Sequence, residues 1–94
     1  MRLIATNLPE LYKCIEGTKR NIIVEYAENE AGFITSLFIG DTPKGGTIHI
    51  NCTEEYEHLN SYNMEINHNY TGEHEFKNLT FKNVLYLLTQ EELF

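Results

Sequence analysis

The sequence predicts an α+β fold: one antiparallel sheet of four to five strands, with an N-terminal and a C-terminal helix packed on one face. Three observations predict it. The stretch Asn21 to Gly40 reads as two strands, Ile22 to Ala27 and Gly32 to Ile39, rich in β-branched and aromatic residues. A polar turn of Glu28, Asn29, Glu30 and Gly32 joins them as a hairpin. The stretch Ser61 to Tyr70 alternates with a period of two, placing Tyr62, Met64, Ile66, His68 and Tyr70 on one face. Ser61, Asn63, Glu65, Asn67 and Asn69 fall on the other, so one side is core and the other is wet. Finally, the two amphipathic stretches with helical spacing lie at opposite ends of the chain, and together they can cover one sheet face while the other stays open.

In chain order, Met1 to Thr6 is apolar enough (Leu3, Ile4, Ala5) for a first strand or an extended lead-in. A helix is predicted from Leu8 to Glu16. Asn7 is its N-cap, Pro9 falls in its first turn and Glu10 completes a capping box three residues after the cap. Leu8, Leu11, Tyr12 and Ile15 form its apolar stripe, and Gly17 supplies a stop through the left-handed conformation open to glycine. In the hairpin that follows, the second strand is apolar on both sides, with Phe33, Leu37 and Ile39 opposed to Ile34 and Phe38, which predicts a central position. The turn Asp41 to Gly46 leads into a strand from Thr47 to Cys52, with Ile48, Ile50 and Cys52 inward. Thr53 to Asn60 reads as a loop or one helical turn with acidic edges. After the alternating strand, Thr71-Gly72 is a turn, and Glu73 to Lys77 fits either a short returning strand or a loop. The last helix begins at Leu79 or Thr80, with Phe81, Val84, Leu85 and Leu88 on one stripe that Leu87 widens. Glu91 and Glu92 near its end oppose the helix dipole, so fraying is expected there. No repeat, linker or low-complexity tract divides the chain, and residues 1–94 read as one domain.

Composition narrows function by exclusion. Fourteen acidic residues, thirteen of them Glu, against seven basic ones give a formal net charge of -7. Such a surface repels nucleic acid and anionic membranes and attracts basic partners. The cations Arg2, Lys13, Lys19, Arg20, Lys44, Lys77 and Lys82 are scattered, so direct nucleic-acid binding is not expected. The N-terminus lacks the apolar stretch of a secretory signal, and no run has the length of a membrane span, which predicts a soluble cytoplasmic protein. Cys14 and Cys52 then read as reduced thiols, and the triplets at Asn51, Asn69 and Asn78 as unmodified.

Catalytic and metal chemistry find no pattern. His49, His58, His68 and His74 lack the close pairing of zinc ligands: His49 and Cys52 face opposite ways on a strand, and His68 meets His74 only across the Thr71-Gly72 hairpin. Lys44-Gly45-Gly46 lacks the spacing of a phosphate-binding loop and precedes a strand rather than a helix. No Cys or Ser is placed with a His and an orienting acid, so neither an enzyme nor a cofactor is expected.

The acidic groups carry the remaining signal. Glu25, Glu28 and Glu30 sit at the first hairpin, Glu54, Glu55 and Glu57 in the acidic loop, Glu73 and Glu75 at the second hairpin, and Glu65 lies among Asn63, Asn67 and Asn69. The expectation is a small acidic binding protein that occupies a basic surface on a larger, nucleic-acid-handling protein, using Glu54, Glu55, Glu57, Asn63, Glu65 and Asn67. In size, acidity and want of a catalytic motif, though in no quotable motif, the chain resembles the small inhibitors encoded by phages and mobile elements, anti-CRISPR proteins among them. That resemblance implies inhibition by imitation of nucleic-acid charge, in the cytoplasm of a host cell. Two alternatives stand beside it: a homo-oligomeric subunit, such as a homodimer, pairing through sheet edges, and a small His-dependent enzyme or metal-binding domain.

Overall fold

The computed structural model describes residues 7–18, 21–52 and 61–94. Among them are two helices and five strands: α1 (Leu8–Glu16), β1 (Ile23–Glu28), β2 (Ile34–Gly40), β3 (Gly46–Cys52), β4 (Tyr62–His68), β5 (Gly72–Leu79) and α2 (Phe81–Gln90). The strands form one antiparallel sheet in the order β1-β2-β3-β4-β5, a plain meander, and the predicted α+β fold is what the chain adopts. The predicted lead-in at Met1 to Thr6 and the acidic loop at Thr53 to Asn60 lie outside the described residues.

Local chemistry starts α1 where the sequence predicts. The Asn7 side chain accepts the Glu10 N–H at 3.1 Å, satisfying a donor that the first turn leaves without a backbone partner. Leu8, Leu11 and Ile15 are its buried stripe. The stop at Gly17 works differently from the expectation, because Gly17 is right-handed (φ -76°), not left-handed. Its N–H still reaches Lys13 and Ile15 carbonyls, and a Cβ there would stand 3.2 Å from the Lys13 carbonyl oxygen, so what the position uses is the small size of glycine.

Register stacks the inward residues into rows across the sheet. Tyr26, Leu37, Ile50, Met64 and Phe76 are successive partners from β1 to β5, and Val24, Ile39, Ile48, Ile66 and His74 form the next row. Leu37, Ile39, Ile48, Ile50 and Met64 are fully buried in one cluster with Leu11 and Ile15 of α1 and with Val84 and Leu88 of α2. Helix α1 packs on β1 and β2, while α2 packs on β4 and β5. Each fully buried aliphatic side chain contributes about 1.5–3 kcal/mol relative to exposure, which makes these rows the main source of stability.

β2 is not the central strand; β3 is. The apolar residues on both sides of β2 have another explanation. Leu37 and Ile39 face the helices, whereas Phe38 emerges on the opposite face and Phe33 precedes the strand, both exposed. The uncertain segment after Gly72 is strand β5, paired along β4 with an irregularity near Tyr62 and Met64. Between β3 and β4 the backbones approach so closely that a Cβ at Gly46 would lie 1.8 Å from the Asn67 carbonyl oxygen, and only glycine fits.

The C-terminus does not end as expected. Thr80 caps α2 by accepting the Asn83 N–H, and Glu91 closes the helix, buried to 6% exposure. The Glu92 N–H bonds the Thr89 carbonyl and the Leu93 N–H bonds the Leu88 carbonyl, with Glu92 left-handed at φ 64°. These two bonds are the Schellman arrangement, here with a glutamate where glycine is usual. Leu93 is fully buried, and His68 of β4 stands 2.6 Å from the Glu91 carboxylate. Hydrophobic anchoring and this hydrogen bond outweigh the unfavourable helix dipole, which corrects the expectation of fraying.

Candidate interaction surface

Alternation along each strand sends every second side chain away from the helices, and the same register aligns these into rows of their own. The middle row is Glu25, Phe38, His49, Glu65 and Glu75, one residue from each of the five strands. On one side of it lie Ile23, Gly40, Thr47, Asn67 and Glu73; on the other lie Ala27, Ser36, Asn51 and Asn63. Neither helix covers this face. Ile23 and Phe38 remain 49% and 41% exposed at its β1–β2 end, and both approach the space above Gly40.

The face changes character from apolar to acidic across the sheet. At the β3–β5 end, His49, Asn51, Asn63, Glu65, Glu75 and Lys77 line a depression. Glu65 and Glu75 are direct cross-strand partners, a like-charge pairing that is unfavourable in itself and tolerable where solvent screens it. Lys77 reaches Glu75 at 3.5 Å, an exposed pair worth little to stability. The Asn63 side-chain oxygen accepts the Asn78 N–H at 3.3 Å, where Asn78 turns left-handed. Asn51 Oδ1 is shut off from solvent and accepts no hydrogen bond from the described residues.

Of the residues expected to bind a partner, Asn63, Glu65 and Asn67 share this face, while Glu54, Glu55 and Glu57 lie outside the described residues. His49, Asn51, Glu73 and Glu75 join them, though the expected site omitted all four. The signal for Glu73 and Glu75 was present: a strand returning from Thr71-Gly72 with period two places both on the Glu65 side. Asn51 and His49 needed the register between β3 and β4.

A second polar group lies at the opposite face. His68 and His74 meet across the β4–β5 hairpin with ring centroids 5.6 Å apart, and Thr71 Oγ1 lies 2.9 Å from His68 Nδ1. With its other nitrogen on Glu91, His68 has both ring nitrogens occupied and serves to hold the helix end. Among the described residues no group of three or more His, Cys, Asp or Glu side chains could hold a metal ion. On α1, the hydrogen bond to Glu16, followed by burial and the nearby charge, raises the Tyr12 phenol above its ordinary value. Tyr12 packs edge-on against Tyr26, 4.9 Å between ring centroids, a contact that secures β1 beneath the helix.

No family model, curated protein or solved structure matches the chain. Among the described residues no helix is long and apolar enough to cross a membrane.

Proposed function

We propose that the chain is an acidic binding protein that inhibits a larger, nucleic-acid-handling protein by covering a basic surface, and that the open sheet face makes the contact. The observation that carries this reading is the middle row of that face: three glutamates, a histidine and an exposed phenylalanine aligned across five strands, with neither α1 nor α2 over them. Carboxylates spaced on a rigid sheet steer a basic partner into place, and Phe38 with Ile23 supplies apolar area to exclude water once it has docked. The net charge of -7 acts in the same direction over longer range. Imitation of a phosphate backbone by such a face would make the partner's nucleic acid a competitor.

The test is capture of the partner by the tagged chain from cells that contain it, washed at rising salt and challenged with DNA or RNA. The expected result is a basic nucleic-acid-handling protein that high salt or nucleic acid displaces. Glu65→Lys with Glu75→Lys should then weaken binding about tenfold or more, a free-energy change of at least about 1.4 kcal/mol. Glu28→Lys with Glu30→Lys changes net charge equally at the first hairpin and serves as control. An equal loss in both variants would place the contact elsewhere than on the open face.

A further inference from the structure

We propose that His49 makes the open face sensitive to pH, its protonation weakening the hold of that face on a basic partner. This rests on the reading of the open face as the contact surface and names a control that acts on it. Strand register sets His49 in the middle row, directly opposite Glu65 of β4 on one side and Phe38 of β2 on the other. Among the described residues it is the histidine of this face. His68 and His74 belong to the covered side, where both ring nitrogens of His68 are engaged by Glu91 and Thr71. The His49 ring is half-buried and hydrogen-bonded by no described residue, which leaves it open to take up a proton.

The charges around His49 give the sign of the effect. The depression that it lines holds two carboxylates, Glu65 and Glu75, against one ammonium, Lys77, so one net negative charge remains while the ring is neutral. An imidazolium opposite Glu65 cancels that charge, because direct cross-strand partners stand about 4.5–5.5 Å apart and interact. Nothing else on this side offsets the change. β2 presents no charged side chain there, and Glu25 of β1 and Glu73 of β5 each lie two strands away. Imidazole changes charge between about pH 5 and 8, a range over which glutamate stays largely ionised and lysine protonated. Acidification through that window removes negative charge from the contact surface, and a return to higher pH restores it.

The test is calorimetry at low salt with a hexa-lysine peptide, whose amines stay protonated, at about pH 7.5 and about pH 5.5. Binding is expected to weaken by about threefold or more at the lower pH, the effect of one charge at close range in a solvated site. His49→Gln should match the unaltered chain at the higher pH and lose most of the pH dependence. His49→Lys, whose charge is fixed, should bind at both pH values as weakly as the unaltered chain does at the lower one. His74→Gln removes a titratable ring from the covered side and should leave the dependence in place. Affinity that does not change with pH, or a dependence that survives His49→Gln, overturns the role of His49 and leaves the basic-partner reading standing. If hexa-lysine binds at neither pH, both fall.

Discussion

The two faces of the sheet are built from the same five strands and the same registers, yet their middle rows have opposite compositions. Toward the helices the row runs Tyr26, Leu37, Ile50, Met64, Phe76; away from them it runs Glu25, Phe38, His49, Glu65, Glu75. The first row is bound to its cover by hydrophobic burial, and its inner members are sealed from water. Among the described residues the second has no cover, and it combines two glutamates paired across neighbouring strands, an exposed ring and a buried acceptor for which those residues supply no donor. A chain with only stability at stake would have no reason to align those features. On the function proposed above, stability and recognition divide between the faces of one sheet, with no boundary between the residues in sequence.

The sharpest way to break the comparison is to damage the covered face. Ile50→Ala removes a fully buried side chain at the centre of the sheet. It should cost about 2–5 kcal/mol of unfolding free energy in a denaturant titration. A loss as small as that of a typical surface change would mean that the helices do not seal this row. The next test concerns a polar contact at the margin of the covered face, between His68 and Glu91. His68→Ala leaves the buried Glu91 carboxylate without its imidazole partner, and about 1–3 kcal/mol should be lost, with hydrogen exchange quickening at the end of α2. The smallest change has the opposite sign. Glu92 carries a left-handed backbone where glycine is better suited, so Glu92→Gly should stabilise the chain by about 0.5–1 kcal/mol. A destabilisation would show that the Glu92 side chain contributes more than its backbone strain costs.

Short-range chemistry was legible, and pairings that depend on distance along the chain were not. The Leu8 to Glu16 helix has the predicted bounds because Asn7, Pro9, Glu10 and the apolar stripe all act within a few residues. The inward set of the alternating strand was likewise readable through His68. The helix end at Glu91 was misread because its partner, His68, lies 23 residues earlier. A local dipole argument carries no knowledge of that contact, nor of the pocket that receives Leu93. The position of β2 is hidden for a related reason: apolar residues on both sides of a strand suggest burial on both, whereas Phe38 is exposed. Half of the expected contact residues, Asn63, Glu65 and Asn67, fell on one face through period-two alternation alone. Glu75 follows from the same alternation in the returning strand, whereas His49 and Asn51 came only with the register between β3 and β4.

By itself, the sequence determined both helices and the first four of the described strands, the inward residues of α1, β3 and β4, and an acidic character that favours basic partners. These follow from periodicity, caps, turn residues and net charge, all of which are properties of short segments or of the whole composition. Only the tertiary structure decided the strand order, the closure of the C-terminus by Glu91 and Leu93, and the line of Glu65, Glu75 and Asn51 around one depression. Those depend on which segments meet, and that is set by the joint burial of side chains from distant parts of the chain.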